Sequence, residues 1–163
     1  MERRRELDGL LKEAFETSGF IGVRIVRAEQ GMYKITMSKI VEYTIFAFIR
    51  TIGKSGWAEK PNIRRVQIAG FDLNRLTATT NTITCCIIGV ERIYDRDIFV
   101  VWNVYNYGNH EKNRSCYVQT INISKAFQLG YFTTTDAKQK IWLSDTFNLD
   151  KLFQEYINFN KIL

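Results

Sequence analysis

The sequence predicts a mainly β, α+β domain: about seven strands in a closed or nearly closed antiparallel barrel, flanked by two or three short helices. Three observations carry this expectation. Stretches rich in β-branched and aromatic residues recur along the 163-residue chain, each of strand length. Polar, glycine-bearing segments separate them, and helical periodicity is confined to three short stretches. Closure follows because an open sheet of that size would leave unpaired hydrogen-bonding edges. One core, and so one domain over residues 1–163, is the default at this length.

The elements read in order. Leu7, Leu10, Leu11, Ala14 and Phe15 form the stripe of an amphipathic helix ending near Ser18 and Gly19. IGVRIVRAE, MYKITMS and EYTIFAFIRTI follow as three strands, with Gly31 turning between the first two. Between Ile52 and Ile63 the apolar pattern stops. GKSGWAEKPN there holds two glycines, two lysines, Trp57 and the only proline of the chain, the composition of a long hairpin arm. IRRVQIAGF, TITCCIIGVERIY and DIFVVWNVY resume the strands, with a turn at residues 95–97 joining the last two. NYGNHEKNR is a second polar arm before the strand SCYVQTI. In NISKAFQLG, Ile123, Ala126 and Phe127 share a helical face, Asn122 or Ser124 is placed to cap it, and Gly130 stops it. TTTDAKQK reads as a turn and KQKIWLS as a last strand. Leu149, Leu152, Phe153 and Tyr156 form the stripe of a closing helix, with Asp145, Thr146 or Asn148 as its cap.

Lys and Arg outnumber Asp and Glu by 23 to 17, giving a net charge of +6 that favours a polyanionic partner. The three cysteines, Cys85, Cys86 and Cys116, are odd in number and lack CxxC spacing, which points away from a disulfide framework or zinc ribbon and towards a reducing cytoplasm. Cys85 and Cys86 are adjacent in a strand, so they face opposite sides and read as core thiols. No run approaches the roughly 20 apolar residues of a membrane helix, and the N-terminus has no secretory h-region. The expectation is a cytoplasmic protein with no membrane partner.

No constellation for catalysis emerges. The one histidine, His110, excludes paired-His metal sites. His110-Glu111-Lys112 begins like the HxK motif of phospholipase D-type nucleases, but Tyr117 stands where that motif needs Asp. Asp136-Ala137-Lys138 has the letters of the DxK half of a metal-dependent nuclease, yet it lies in turn-like sequence with no acidic companion. There is no phosphate loop, dinucleotide fingerprint or nucleophile elbow. The domain is therefore expected to carry no enzyme activity, metal or cofactor of its own.

The two arms hold the residue types that grip duplex DNA. The first arm and its flanks supply Arg50, Lys54, Ser55, Trp57, Lys60, Asn62, Arg64, Arg65 and Gln67. The second supplies Asn106, Tyr107, Asn109, His110, Lys112, Asn113 and Arg114. Lys and Arg neutralise phosphates, Arg pairs bidentately with guanine, and Asn or Gln with adenine. Trp57 either stacks against the nucleic acid or packs its own arm onto the barrel.

The string IIGVERIYDRDIFVVWNVYNYGN, followed by RSCYVQTINISKAFQLG, gives an ordered pattern: a strand ending in Gly, an acidic turn, a strand ending FVxW, a polar arm, a Ser-bearing strand and a short helix closed by Gly. RRVQI after the first arm adds to it. This order, over about residues 43–157, resembles the B3-like DNA-recognition pseudobarrels of the EcoRII, BfiI and NgoAVII restriction enzymes and of plant B3 transcription factors. It is most similar to the N-terminal recognition domain of LlaJI-like, McrBC-related, GTP-dependent restriction subunits. The resemblance implies a wrench-like grip in which residues 50–65 and 103–114 enter the major groove of double-stranded DNA from either side. It also implies a larger parent that binds GTP and Mg²⁺ and works with an McrC-like nuclease subunit. Two other classes remain: an RNA or single-strand binder presenting Tyr43, Phe46 and Phe48, and a minimal metal-dependent nuclease using Asp136 and Lys138.

Overall fold

The computed structural model describes residues 2–27, 32–54, 62–68, 78–106, 114–136 and 138–161, with side chains described except at residues 2–6, 54 and 114. The chain begins with α1 (Glu2–Thr17) and then forms β1 (Ile21–Arg27), β2 (Tyr33–Lys39) and β3 (Val41–Thr51). The short β4 (Gly53–Lys54) and β5 (Ile63–Ile68) frame the first arm. β6 (Ile83–Ile93) and β7 (Arg96–Trp102) precede the second, which re-enters as β8 (Arg114–Gln119). α2 (Thr120–Leu129), β9 (Tyr131–Asp136), β10 (Gln139–Asp145) and α3 (Leu149–Asn160) complete the fold. The domain is mainly β with three helices among the described residues, as the sequence predicts.

The strands form two sheets rather than one continuous barrel wall. A seven-stranded sheet runs in the order β1-β2-β3-β6-β7-β10-β9, and a three-stranded sheet in the order β4-β5-β8. The large sheet departs from the antiparallel expectation at its centre, where β3 and β6 are parallel, with Phe46 opposite Cys85 and Phe48 opposite Ile87. The reason is topological. The chain leaves the large sheet after β3 to build β4 and β5 and returns beside β3 in the same direction, the crossover that a parallel pair requires.

Both faces of the large sheet are buried. Leu11, Ala14 and Phe15 of α1 and Leu152, Phe153 and Tyr156 of α3 cover one face, meeting Cys86, Ile88 and Val90. Val66 and Ile68 of β5, Cys116 and Val118 of β8 and Ile123 and Ala126 of α2 cover the other, meeting Cys85 and Ile87. This two-sided burial explains why ITCCIIGV is an unbroken apolar run instead of an alternating one. Cys85 and Cys86 lie on opposite faces as predicted, and burial raises the Cys86 thiol well above its ordinary value.

Local differences from the sequence reading have local causes. Thr133, Thr134 and Thr135, expected in a turn, belong to the edge strand β9 paired with β10. β-Branched threonine suits a strand, but a polar edge carries no apolar alternation to announce it. β9 runs to Asp136 and β10 begins at Gln139, with Lys138 between them at φ 65°. The β6–β7 turn sits one residue early, with Ile93 opposite Arg96 and Tyr94 at φ 55°, the left-handed geometry of a tight hairpin. Asn122 and Ser124 lie inside α2, whose N-cap is Gln119 with no side-chain cap bond. A tertiary contact substitutes: Thr120 N donates to the Asn62 carbonyl at 2.8 Å. Gly130 stops α2 at φ 83°, and Asp145 accepts from Asn148 N at 3.1 Å at the entry to α3. Gly31, expected to turn between β1 and β2, lies outside the described residues.

Gly89 lets the two sheets close on each other. A Cβ there would meet Ile52 Cγ1 at 2.7 Å and Trp102 Cζ3 at 2.8 Å. Overpacking of this kind costs about 1–3 kcal/mol. Urea denaturation of Gly89→Ala is expected to show a loss of that size at unchanged m-value; wild-type stability would mean that Trp102 has room to move.

Candidate nucleic-acid interface

The three-stranded sheet positions every described candidate of the first arm apart from Arg50 and Asn62. In β5, Val66 and Ile68 point into the core, so strand alternation sends Ile63, Arg65 and Gln67 outward. β8 pairs with it so that Arg65 faces Tyr117, Gln67 faces Ser115 and Ile63 faces Gln119. Cys116 and Val118 fill the inner side of β8. The outer face is thus a patch of Arg65, Gln67, Ser115, Tyr117 and Gln119 with the half-buried Ile63 at one end. Gln119 Nε2 also reaches Asp136 Oδ1 at 3.3 Å, where the edge of the small sheet approaches β9.

The two arms return to opposite ends of this patch. The first departs after Lys54 and returns at Asn62, at the Ile63–Gln119 end. The second returns at Arg114, opposite Ile68. The six residues of β5 separate these roots by about 17 Å at roughly 3.3 Å per residue. Asn62 and Asn106 are exposed at the roots. Ser55, Trp57, Lys60, Tyr107, Asn109, His110, Lys112 and Asn113 lie outside the described residues, as do the side chains of Lys54 and Arg114.

Two of the basic candidates are not on the outer face. Arg64 shares the inner side of β5 with Val66; its side chain is 30% exposed, and its Nη1 lies 3.9 Å from Glu91 of β6. Arg50, half-buried in β3, donates from Nη1 to the Ile49 carbonyl at 2.8 Å. Sequence reasoning missed Tyr117, although the alternation in RSCYVQ, with Cys116 and Val118 apolar, was sufficient to turn it outward. Of the aromatic residues offered as a stacking surface, Phe48 is fully buried, and the half-buried Phe46 and Tyr43 pack against the cores on opposite faces of the sheet. Asp136 and Lys138 flank the β9–β10 turn, and no group of three potential metal ligands occurs among the described residues. No helix there is long and apolar enough to cross a membrane.

The family model of methylase-associated X1 (MTaX1) matches residues 41–152, and the chain belongs to that family. The matched span starts at β3 and ends within α3, close to the stretch that carries the sequence resemblance. Membership associates the domain with methylases and so with restriction–modification systems. No curated protein and no solved structure matches the chain.

The Arg64–Glu91 pair gives the inner rim a pH signature. Burial raises the Glu91 carboxyl above its ordinary value of 4.5, and Arg64 offsets only part of that shift. A carboxyl with a raised folded pKa holds its proton more tightly in the native state, so stability falls as pH rises from the ordinary value through the raised one. Glu91→Gln lacks this decline, and its stability relative to wild type should therefore increase with pH. Urea midpoints measured between about pH 4 and pH 7, the range spanning carboxylate titration, check this; parallel profiles would contradict it.

Proposed function

We propose that this domain binds double-stranded DNA at a specific site and is the target-recognition module of a restriction–modification system. The observation that supports it most directly is the return of the two arms to opposite ends of one largely polar sheet face. The outward Arg65, Gln67, Ser115, Tyr117 and Gln119 are positioned to lie under a duplex held between the arms. Root spacing of about 17 Å suits arms that straddle a major groove roughly 12 Å wide. Lys54, Lys60, Lys112 and Arg114 then contact phosphates, while Arg65, Gln67, Asn106, Asn109, His110 and Asn113 read base edges. Arg64 and Arg50 shape the rim that carries them.

In this reading the fold is a B3-like pseudobarrel, and the domain supplies recognition while its companions supply chemistry. A restriction enzyme and the methylase of the same system act on one sequence, so a reader of this kind serves either. The family description favours a methylase companion. The resemblance to LlaJI-like, McrBC-related subunits favours a GTP- and Mg²⁺-dependent parent acting with an McrC-like nuclease subunit. Neither GTP nor Mg²⁺ is assigned to the residues of this domain.

Selection of bound duplexes from a randomised pool at about physiological salt, where non-specific binding weakens, tests the proposal. One short motif should be enriched. Arg65→Ala or Gln67→Ala should relax one position of it at a cost of about 1–3 kcal/mol, whereas Lys54→Ala should weaken all sequences alike and lower the salt slope by about 1. Preference for single strands, or recovery of no motif, would overturn it.

A further inference from the structure

A knot of buried polar side chains sits where the second arm leaves the barrel. Asn103, 5% exposed, stands between β7 and a 3₁₀ turn over Val104–Asn106. Its Nδ2 donates to Asn160 Oδ1 at the end of α3 at 2.8 Å. Its Oδ1 accepts from Tyr105 N at 3.2 Å, and its carbonyl accepts from Asn106 N at 3.1 Å. Asn160 Nδ2 in turn donates to the Tyr156 carbonyl at 3.1 Å. Each amide group therefore has a donor role and an acceptor role, and neither can be flipped without losing bonds. From the β6 side, the buried hydroxyl of Thr79 bonds with Tyr105 Oη at 3.0 Å and Thr84 Oγ1 at 2.9 Å. The last residues before the second arm are thus gripped by two separate parts of the fold.

An apolar side chain would fill this position without the desolvation cost of a buried amide. A buried amide with every group satisfied does what an apolar residue does not: it selects one backbone path. We propose that Asn103, held by Asn160, is a positioning residue for the second arm, fixing the direction in which the chain leaves at Asn106 and thereby the arm's contribution to site recognition. The recognition half of this inference rests on the duplex-binding function proposed above; the positioning half does not need DNA.

Two variants separate the two. Asn103→Asp keeps the acceptor for Tyr105 N but turns a carboxylate oxygen towards Asn160 Oδ1, and Asn160→Ala removes that oxygen while leaving Asn103 intact. Amide hydrogen exchange on the free protein should show Tyr105 and Asn106 opening faster in both variants, with β10 unchanged. With the selected duplex, the same two variants should lose about tenfold in the ratio of specific to non-specific affinity, a change typical of one lost recognition contact, while non-specific binding is retained. Wild-type exchange and wild-type ratio in Asn103→Asp would overturn the inference, as would exchange accelerated in β10 as much as at Tyr105 and Asn106. If wild type selects no motif, the duplex reading falls, and the exchange data alone decide the positioning role.

Discussion

The indole of Trp102 is the point through which the two sheets are referred to each other. It is fully buried, and a buried N–H needs an acceptor. Nε1 finds one in the Tyr117 carbonyl of β8 at 2.9 Å, in the space that Gly89 leaves open. A bond to a main-chain oxygen fixes strand position as well as proximity. Sliding β8 by one residue would orphan the indole and exchange the inner Cys116 and Val118 for Ser115 and Tyr117. The polar outer face, the register with β5 and the roots of both arms all follow from where β8 is held.

The opposite face of the large sheet completes this frame. Tyr156 of α3 reaches through to donate to the Cys85 carbonyl at 2.5 Å, and its ring packs edge-on against Trp142, with centroids 4.8 Å apart. The phenol stays protonated because burial raises it well above its ordinary value, so the donor role is permanent at any physiological pH. β6 is thus clamped from both sides: a helix bonds to its backbone on one side, and the small sheet packs on Cys85 and Ile87 on the other. A strand buried twice over is a stiff base, and loops project usefully only from a stiff base.

Much of this was legible in the sequence because it is local. The stripe of α1, the opposed faces of Cys85 and Cys86, and the breaks in apolar pattern that mark both arms all depend on neighbours within a few residues. What was not legible depends on distant partners. The parallel β3–β6 pair and the division into two sheets arise from chain crossings that no periodicity encodes. Arg64 and Arg65 both stand among the expected DNA-gripping residues of the first arm, yet the alternation of IRRVQI already places Arg64 with Val66 and Ile68, on the side of Glu91. β9 failed as a prediction because a threonine edge strand and a polar turn have similar composition. Asn103 was absorbed into the second arm because its half-buried partner, Asn160, lies 57 residues away.

On the proposed reading, this division bears on how the domain changes its target. Residues that set the frame, Gly89, Trp102, Tyr156 and the inner sides of β5 and β8, are buried and mutually dependent, so a change in any one disturbs packing on both sheets. Arg65 and Gln67 of the outer face depend on the frame but contribute little to it. A substitution at Arg65 or Gln67 leaves the core untouched, since the inner side of β5 alone contacts it. On the proposed reading, specificity is carried by side chains that can vary freely and is made reproducible by side chains that cannot. The two arms differ in sequence and return to different ends of the small sheet, so on that reading one domain presents no two-fold symmetry to a duplex. A palindromic site reflects a symmetric protein dimer; on the same reading a single copy of this domain is matched to an asymmetric sequence, read in one orientation along the duplex.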